Sequence, residues 1–145
     1  MSTAIHRMVE RAASGDWENV IIRMLSGWAI MGEKQVVPGY CLLLPDPVVG
    51  HLNELEGEVR IEFLEDMARL GDAVLAVTGA ARINYEMLGN LEPALHAHVF
   101  PRYNDEDEAL QTKPIWFYDW DAAPNFSQAD GGDLRDAIRA RLETE

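Results

Sequence analysis

The sequence predicts an α+β fold in which short antiparallel strands, about five of them, combine with one long helix and one or two shorter ones. Two observations carry that expectation. One stretch, residues 54–77, repeats apolar side chains at steps of three and four, the helical period. Around it lie short apolar runs cut by Gly, Pro and Asn, which is the punctuation of strands and turns. Two such runs joined by a short loop after a long helix suggest an antiparallel hairpin, not a doubly wound sheet.

Taken in order, residues 3–13 pattern as a short amphipathic helix with Ile5, Met8 and Val9 on one side. The runs NVIIRML and GWAIMG, divided by Ser26-Gly27, each read as a strand. KQVVPGYCLLLP turns through Pro38-Gly39 into a strand over 40–44 that Pro45 stops. In the long helix, Val59, Phe63, Met67, Leu70, Val74 and Val77 line the apolar stripe. Arg60, Glu62, Glu65, Asp66, Arg69 and Asp72 read as its solvated face, and Gly79 is placed to end it. ARINYEML is then a strand, GNLEP a turn and ALHAHVFP a second strand ended by Pro101. YNDEDEALQTK reads as a surface loop, and the apolar PIWFYDW must pack on something. Residues 133–143 pattern as a last helix with a fraying acidic end.

Composition bounds the function. A chain of 145 residues has the length of one domain, 1–145, and 48% apolar content suits a packed core. No apolar run approaches the ~20 residues of a membrane span. Residues 1–15 lack the apolar centre of a secretory leader, so the expected location is cytoplasmic. The formal charge of −13 repels polyanions, which argues against broad binding of nucleic acid. A small anionic ligand remains open to a pocket with its own donors. The single cysteine, Cys41, sits in YCLLLP as a buried, inert thiol.

The chemistry concentrates in LEPALHAHVFPRY. Strand side chains alternate, so Leu95, Ala97 and Val99 share a face that suits a core. Ala94, His96, His98 and Phe100 share the other, with the imidazoles roughly 7 Å apart at ~3.3 Å rise per residue. By pattern alone three readings stand. The histidines are polar residues on a solvated face, or a His-x-His chelate for zinc, although His6 and His51 lie in unrelated contexts. In the third, one imidazole attacks phosphorus or shuttles a proton while the other binds or orients phosphate.

The stretch NYEMLGNLEPALHAHVFPRY closely resembles the histidine triad (HIT) family of nucleotide hydrolases and transferases. The family signature is His-φ-His-φ-His-φ-φ, with φ apolar, and many bacterial members carry N-Y-x-x-L-G-N-x-x-P just upstream and P-R-Y after it. QVVPGYCLLLP is similar to the family's earlier strand pair, so the resemblance spans about 17–103. Residues 104–145 form a C-terminal extension with an aromatic segment and a short helix. The resemblance implies a HIT-like fold, a small-molecule nucleotide substrate, a homodimer, and neither cofactor nor metal. It favours the catalytic reading of the histidines.

One residue departs from the signature: Ala94 stands at the first triad position. The resemblance makes His96 the nucleophile and His98 the residue that contacts phosphate and helps the leaving group. It implies hydrolysis of dinucleoside polyphosphates or nucleoside phosphoramidates, as in diadenosine polyphosphate hydrolases, through a nucleotidyl-histidine intermediate. A non-catalytic nucleotide sensor and a nucleotidyl transferase are the alternatives.

Attack by neutral His96 needs a lone pair on one ring nitrogen, so the other must donate to a fixed acceptor. A carbonyl of the Gly89-Asn90 turn is the expected acceptor. Charge developing on phosphoryl oxygens calls for donors, and His98, Asn84, Asn90 and backbone N–H groups near Gly89 are in place to supply them. Asn84 and Asn90 also fit duller roles, as a strand end and a turn former. Arg102 either reaches phosphate or pairs with Asp105 or Glu106. At the nucleoside end, Gly32 stands near the family's ribose-binding position with Glu33 beside it, and Tyr40 where relatives often have histidine. Trp28 and Ile30 line a base pocket or pack in the core. Trp116 and Trp120 cover the site, cover a partner subunit, or pack in the core.

Overall fold

A computed structural model describes residues 2–144 of the chain. Five antiparallel strands form one sheet in the order β1-β2-β3-β5-β4, from β1 (Val20–Arg23), β2 (Gly27–Met31), β3 (Cys41–Pro45), β4 (Arg82–Glu86) and β5 (Ala97–Arg102). Three helices accompany it: α1 (Ala4–Ala13), α2 (Gly57–Thr78) and α3 (Gln128–Glu143). The α+β class and the antiparallel sheet are as the sequence predicts.

Local chemistry sets the helix ends. Thr3 caps α1 by accepting from the N–H groups of Ile5 and His6, while Nδ1 of His6 accepts from the Thr3 N–H. His6 is thereby a structural residue. The long helix starts later than its periodicity suggests. Leu55 and Glu56 are extended and Gly57 takes φ +54°, so 52–54 form a separate 3-10 turn. Gly79 ends α2 at φ +69°, a left-handed cap that a residue with Cβ adopts only at a cost.

The sheet is buried on both faces. α2 and α3 cover one, where Leu43, Phe63, Leu70, Val74, Leu95, Ala97 and Val99 make a continuous apolar cluster. α3 is pinned to β1 by Arg139, whose Nε donates to the Ile21 carbonyl at 2.6 Å, and by Arg135, whose Nη1 donates to the Glu18 carbonyl at 2.8 Å. On the opposite face α1 packs against β3, and Ile5, Val9, Ile30, Leu42, Leu44, Phe100 and Ile115 make a second cluster.

Four expectations are corrected here. Val59 is 54% exposed, so the stripe of α2 begins at Phe63. Asp66, assigned to the solvated face, is 3% exposed. It lies on the inner face by the same period as Phe63 and Leu70, and its carboxylate accepts from the Ser26 N–H at 2.8 Å and the Ser26 hydroxyl at 2.7 Å. β5 runs through Pro101 to Arg102. Its pairing with β3 ends at Cys41–Val99, so beyond that point it has a strand on one side only, where a residue without an N–H is tolerated. The link from β4 to β5 is also longer than a tight turn, occupying 87–96.

Asp66→Ala removes the acceptor of the half-buried Ser26 N–H and hydroxyl. It is expected to cost about 1–3 kcal/mol in urea unfolding, whereas Glu65→Ala on the exposed side changes stability little.

Candidate active site

Alternation along β5 places the two histidines. Leu95, Ala97 and Val99 point into the cluster under α2 and α3, and Ala94 and Phe100 belong to the second cluster. His96, just before the strand, and His98, within it, are half-buried on that second side, so their face is not a solvated one. The ring centroids are 4.9 Å apart at 75°, closer than the strand repeat alone suggests because the side chains lean together. His98 stacks on Phe100 at 5.5 Å and meets Trp116 edge-on at 5.0 Å.

The two imidazoles are held differently. Nδ1 of His96 lies 2.7 Å from the Ala94 carbonyl oxygen. A carbonyl can only accept, so Nδ1 carries a proton, and in the neutral ring the lone pair is on Nε2. The acceptor is therefore Ala94, not the Gly89-Asn90 turn. Ala94 itself is buried and belongs to the second cluster, which also holds Ile5, Val9 and Ala12 of α1. Nδ1 of His98 lies 2.7 Å from the Tyr40 hydroxyl. Burial first, and His96 second, pull the His98 pKa down to about 3, so this imidazole is neutral. Burial also pushes the Tyr40 phenol well above its ordinary range. The Tyr40 ring stacks on Phe100 at 4.4 Å and meets the Trp120 ring edge-on at 5.8 Å.

Other expected site residues divide between two recesses. One, of about 280 Å³, is lined by Gly89, Asn90, Pro93, Ala94 and His96. Gly89 takes φ +68° in its wall. His51 lines the same recess, brought there because the Val49 carbonyl accepts from the Leu95 N–H at 2.8 Å. Sequence reading set His51 aside; its approach to His96 depends on how the segment after β3 folds back, which no local pattern announces. The second recess, about 710 Å³, runs along β4 and is lined by Asn84, Glu86, Arg102 and Lys113 among others.

Arg102 is held in a dense set of contacts that includes the expected pairing with Glu106. Its guanidinium donates to both Glu106 oxygens at 2.9–3.2 Å, to Asn84 Oδ1 at 2.8 Å and to the Lys113 carbonyl at 2.8 Å. The two side chains are 8% and 7% exposed. Burial pushes the Glu106 carboxyl up, but hydrogen bonds from Arg102, the Tyr118 hydroxyl and the Tyr103 N–H outweigh it and hold the group below its usual range. Glu106 thus does not belong to a purely solvated loop. Asn84, its amide oxygen taken by Arg102, stands across the ladder from Phe100.

Trp28 and Glu33 line neither recess. Trp28 is on β2, its indole donates to Asp46 at 3.2 Å and the Arg23 guanidinium lies over its ring. Ile30 is a core residue. Glu33 is exposed after β2, and its carbonyl accepts from the Phe126 N–H. Gly32, by contrast, faces the site: a Cβ there would fall 2.2 Å from the Tyr40 ring. In the extension, Ile115 is fully buried, while Trp116 stacks on Trp120 at 5.0 Å and donates its indole N–H to Glu86 at 2.9 Å. Glu86 is the cross-strand partner of His98. Among the described residues, no group of three or more His, Cys, Asp or Glu side chains is arranged to hold a metal ion.

This fold is that of histidine triad proteins. A histidine triad protein of Bradyrhizobium japonicum is 20% identical, with 86% of this chain and 92% of that chain covered at a TM-score of 0.75. One from Marinobacter aquaeolei is 19% identical, covering 93% and 94%, also at 0.75. A hypothetical histidine triad nucleotide-binding protein of Sulfolobus tokodaii is 14% identical, covering 95% and 92%, at 0.73. No family model matches the sequence, and no curated protein is similar to it. At such identities the likeness is one of fold.

Two outcomes follow from this geometry. His98 is expected not to titrate between pH 8 and 5 in NMR. Its folded pKa lies below the ordinary 6.5, so the unfolded chain takes up a proton that the folded chain refuses. Its contribution to stability is thus complete above about pH 6.5 and is lost as pH falls toward about 3, a slope that His98→Gln should flatten. Arg102→Ala strands a buried carboxylate and is expected to cost about 3 kcal/mol or more in chemical denaturation.

Proposed function

We propose that the chain is a histidine triad protein whose first triad position is Ala94, and that it hydrolyses nucleoside phosphate derivatives at phosphorus. Dinucleoside polyphosphates and nucleoside phosphoramidates are the substrate classes. The observation that carries this reading is the hydrogen bond from His96 Nδ1 to the Ala94 carbonyl, which leaves a lone pair on Nε2 beside a second imidazole. The Nε2 pair attacks the α-phosphorus, forming an N–P bond as the bond to the leaving group breaks and its electrons depart with that group. Water then attacks phosphorus, the N–P bond breaks back to His96, and a nucleoside monophosphate is released. His98, neutral and adjacent, donates to an oxygen of the phosphoryl or leaving group. Gly89 and Asn90, in the recess beside His96, bind the phosphoryl oxygens. On this reading the missing imidazole at 94 affects rate more than principle, since the part of residue 94 that the geometry uses is its carbonyl.

Residues 1–145 are read as one domain, cytoplasmic and homodimeric, with no cofactor. The dimer is supported by β4, which lies at the sheet edge with Tyr85 exposed, and by exposed Val59 and Ile61 on α2. A nucleotide sensor without turnover is the second reading. Ala94 favours it, because a third imidazole is missing from the network.

A turnover screen over dinucleoside polyphosphates, phosphoramidates and nucleotide sugars, with and without added acceptors, tests these readings together. His96→Ala is expected to abolish turnover while circular dichroism and thermal unfolding stay unchanged. Full activity in that variant would refute the mechanism. Saturable binding without product or a trapped His96 adduct would establish the sensor, and product formed only with an acceptor would establish a transferase.

A further inference from the structure

The residue that stands out beyond this chemistry is Tyr40. It is 3% exposed, its hydroxyl makes one hydrogen bond among the described residues, and that bond goes to Nδ1 of His98 at 2.7 Å. Two neutral partners meet there, so one hydrogen atom fills the contact. If His98 Nδ1 supplied it, the phenol hydrogen would be buried without an acceptor, and an unpaired buried donor carries a full desolvation penalty. If the phenol supplies it, the buried hydroxyl is paired through Nδ1 of His98. Nδ1 of His98 then accepts, and its proton sits on Nε2.

Resting on the assignment of His96 as nucleophile and His98 as its assistant, we infer that Tyr40 is a positioning residue that fixes His98 in the Nε2–H form. The Ala94 carbonyl fixes His96 in the opposite, Nδ1–H form. The pair is thereby set before any ligand arrives: one imidazole offers a lone pair and the other a hydrogen. Were both in the same form, the site would hold two nucleophiles with no donor, or two donors with no nucleophile.

The surroundings hold Tyr40 to this task. Its ring lies against Phe100 and Trp120, and its carbonyl accepts from the N–H of Gly32 at 2.9 Å and from Gln35 Nε2 at 3.0 Å. Gly32 itself leaves the space the ring fills, since a Cβ there would fall 2.2 Å from Tyr40 Cδ2. The hydroxyl, not the packing, is what sets the tautomer.

The test uses the whole chain with ¹⁵N-labelled histidine. Long-range ¹H–¹⁵N correlation of the unliganded protein is expected to show His98 with a pyrrole-type Nε2 and a pyridine-type Nδ1, and His96 with the reverse. Tyr40→Phe keeps the ring and removes the hydroxyl. It should turn the His98 signals into a mixture of forms and lower kcat about tenfold with KM little changed, the worth of one net hydrogen bond. A protonated Nδ1 on His98 in the wild-type chain would overturn the inference, and so would a Tyr40→Phe variant with unaltered tautomer and kcat. The wild-type spectrum decides the tautomer even if the variant misfolds. If no substrate is turned over while the two tautomers are opposite, the hydrolase reading fails and the role of Tyr40 stands.

Discussion

β5 is buried from both sides, and this constraint organises the molecule. Most antiparallel sheets of this size bury one face and wet the other. Here α2 and α3 take one side, while α1 and the segment around Ile115 take the other. Each residue of β5 must therefore suit a packed environment, including the polar ones. A histidine on such a strand cannot be left to water: it needs a partner on one nitrogen and a neutral ring. The partner is a main-chain carbonyl at His96 and a phenol at His98, and burial keeps the His98 ring neutral.

A second organising contact is Arg102 with Glu106. β5 ends there, and the guanidinium gathers the loop over 104–113 by bonding its carbonyls. That loop delivers the aromatic segment, so Trp116 reaches His98 through a chain of contacts that starts at a buried ion pair. Such a pair is a poor source of net stability but a strict one of geometry, because either partner alone would be a stranded charge.

Much of this was legible in the sequence because it rests on short-range periodicity. The faces of β5 follow from the alternation of Leu95, Ala97 and Val99 with Ala94, His96, His98 and Phe100. The sheet and its long helix follow from runs of apolar residues and their punctuation. What eluded sequence reasoning depends on partners far along the chain. Asp66 looks like one charge among many until Ser26 is placed beside it. Arg102 has several acidic candidates nearby, and only the fold selects Glu106. The acceptor for His96 lies two residues away in the chain and not in the Gly89-Asn90 turn, because a carbonyl's direction is a matter of backbone angle and leaves no mark in residue type. Trp28 and Glu33 are named by correspondence with a family pattern, and here Trp28 is half-buried while Glu33 is exposed.

The fit of Gly32 against Tyr40 has a consequence for how this sequence is able to change. Any side chain at 32 meets the aromatic ring at 40. Exchanging Tyr40 for a smaller residue while Gly32 stays leaves a hole in a packed cluster. Neither position is free to drift alone, and the order of steps matters: the ring has to shrink before the glycine grows. Positions 32 and 40 are thus coupled by volume, and a change at one sets what the other can hold.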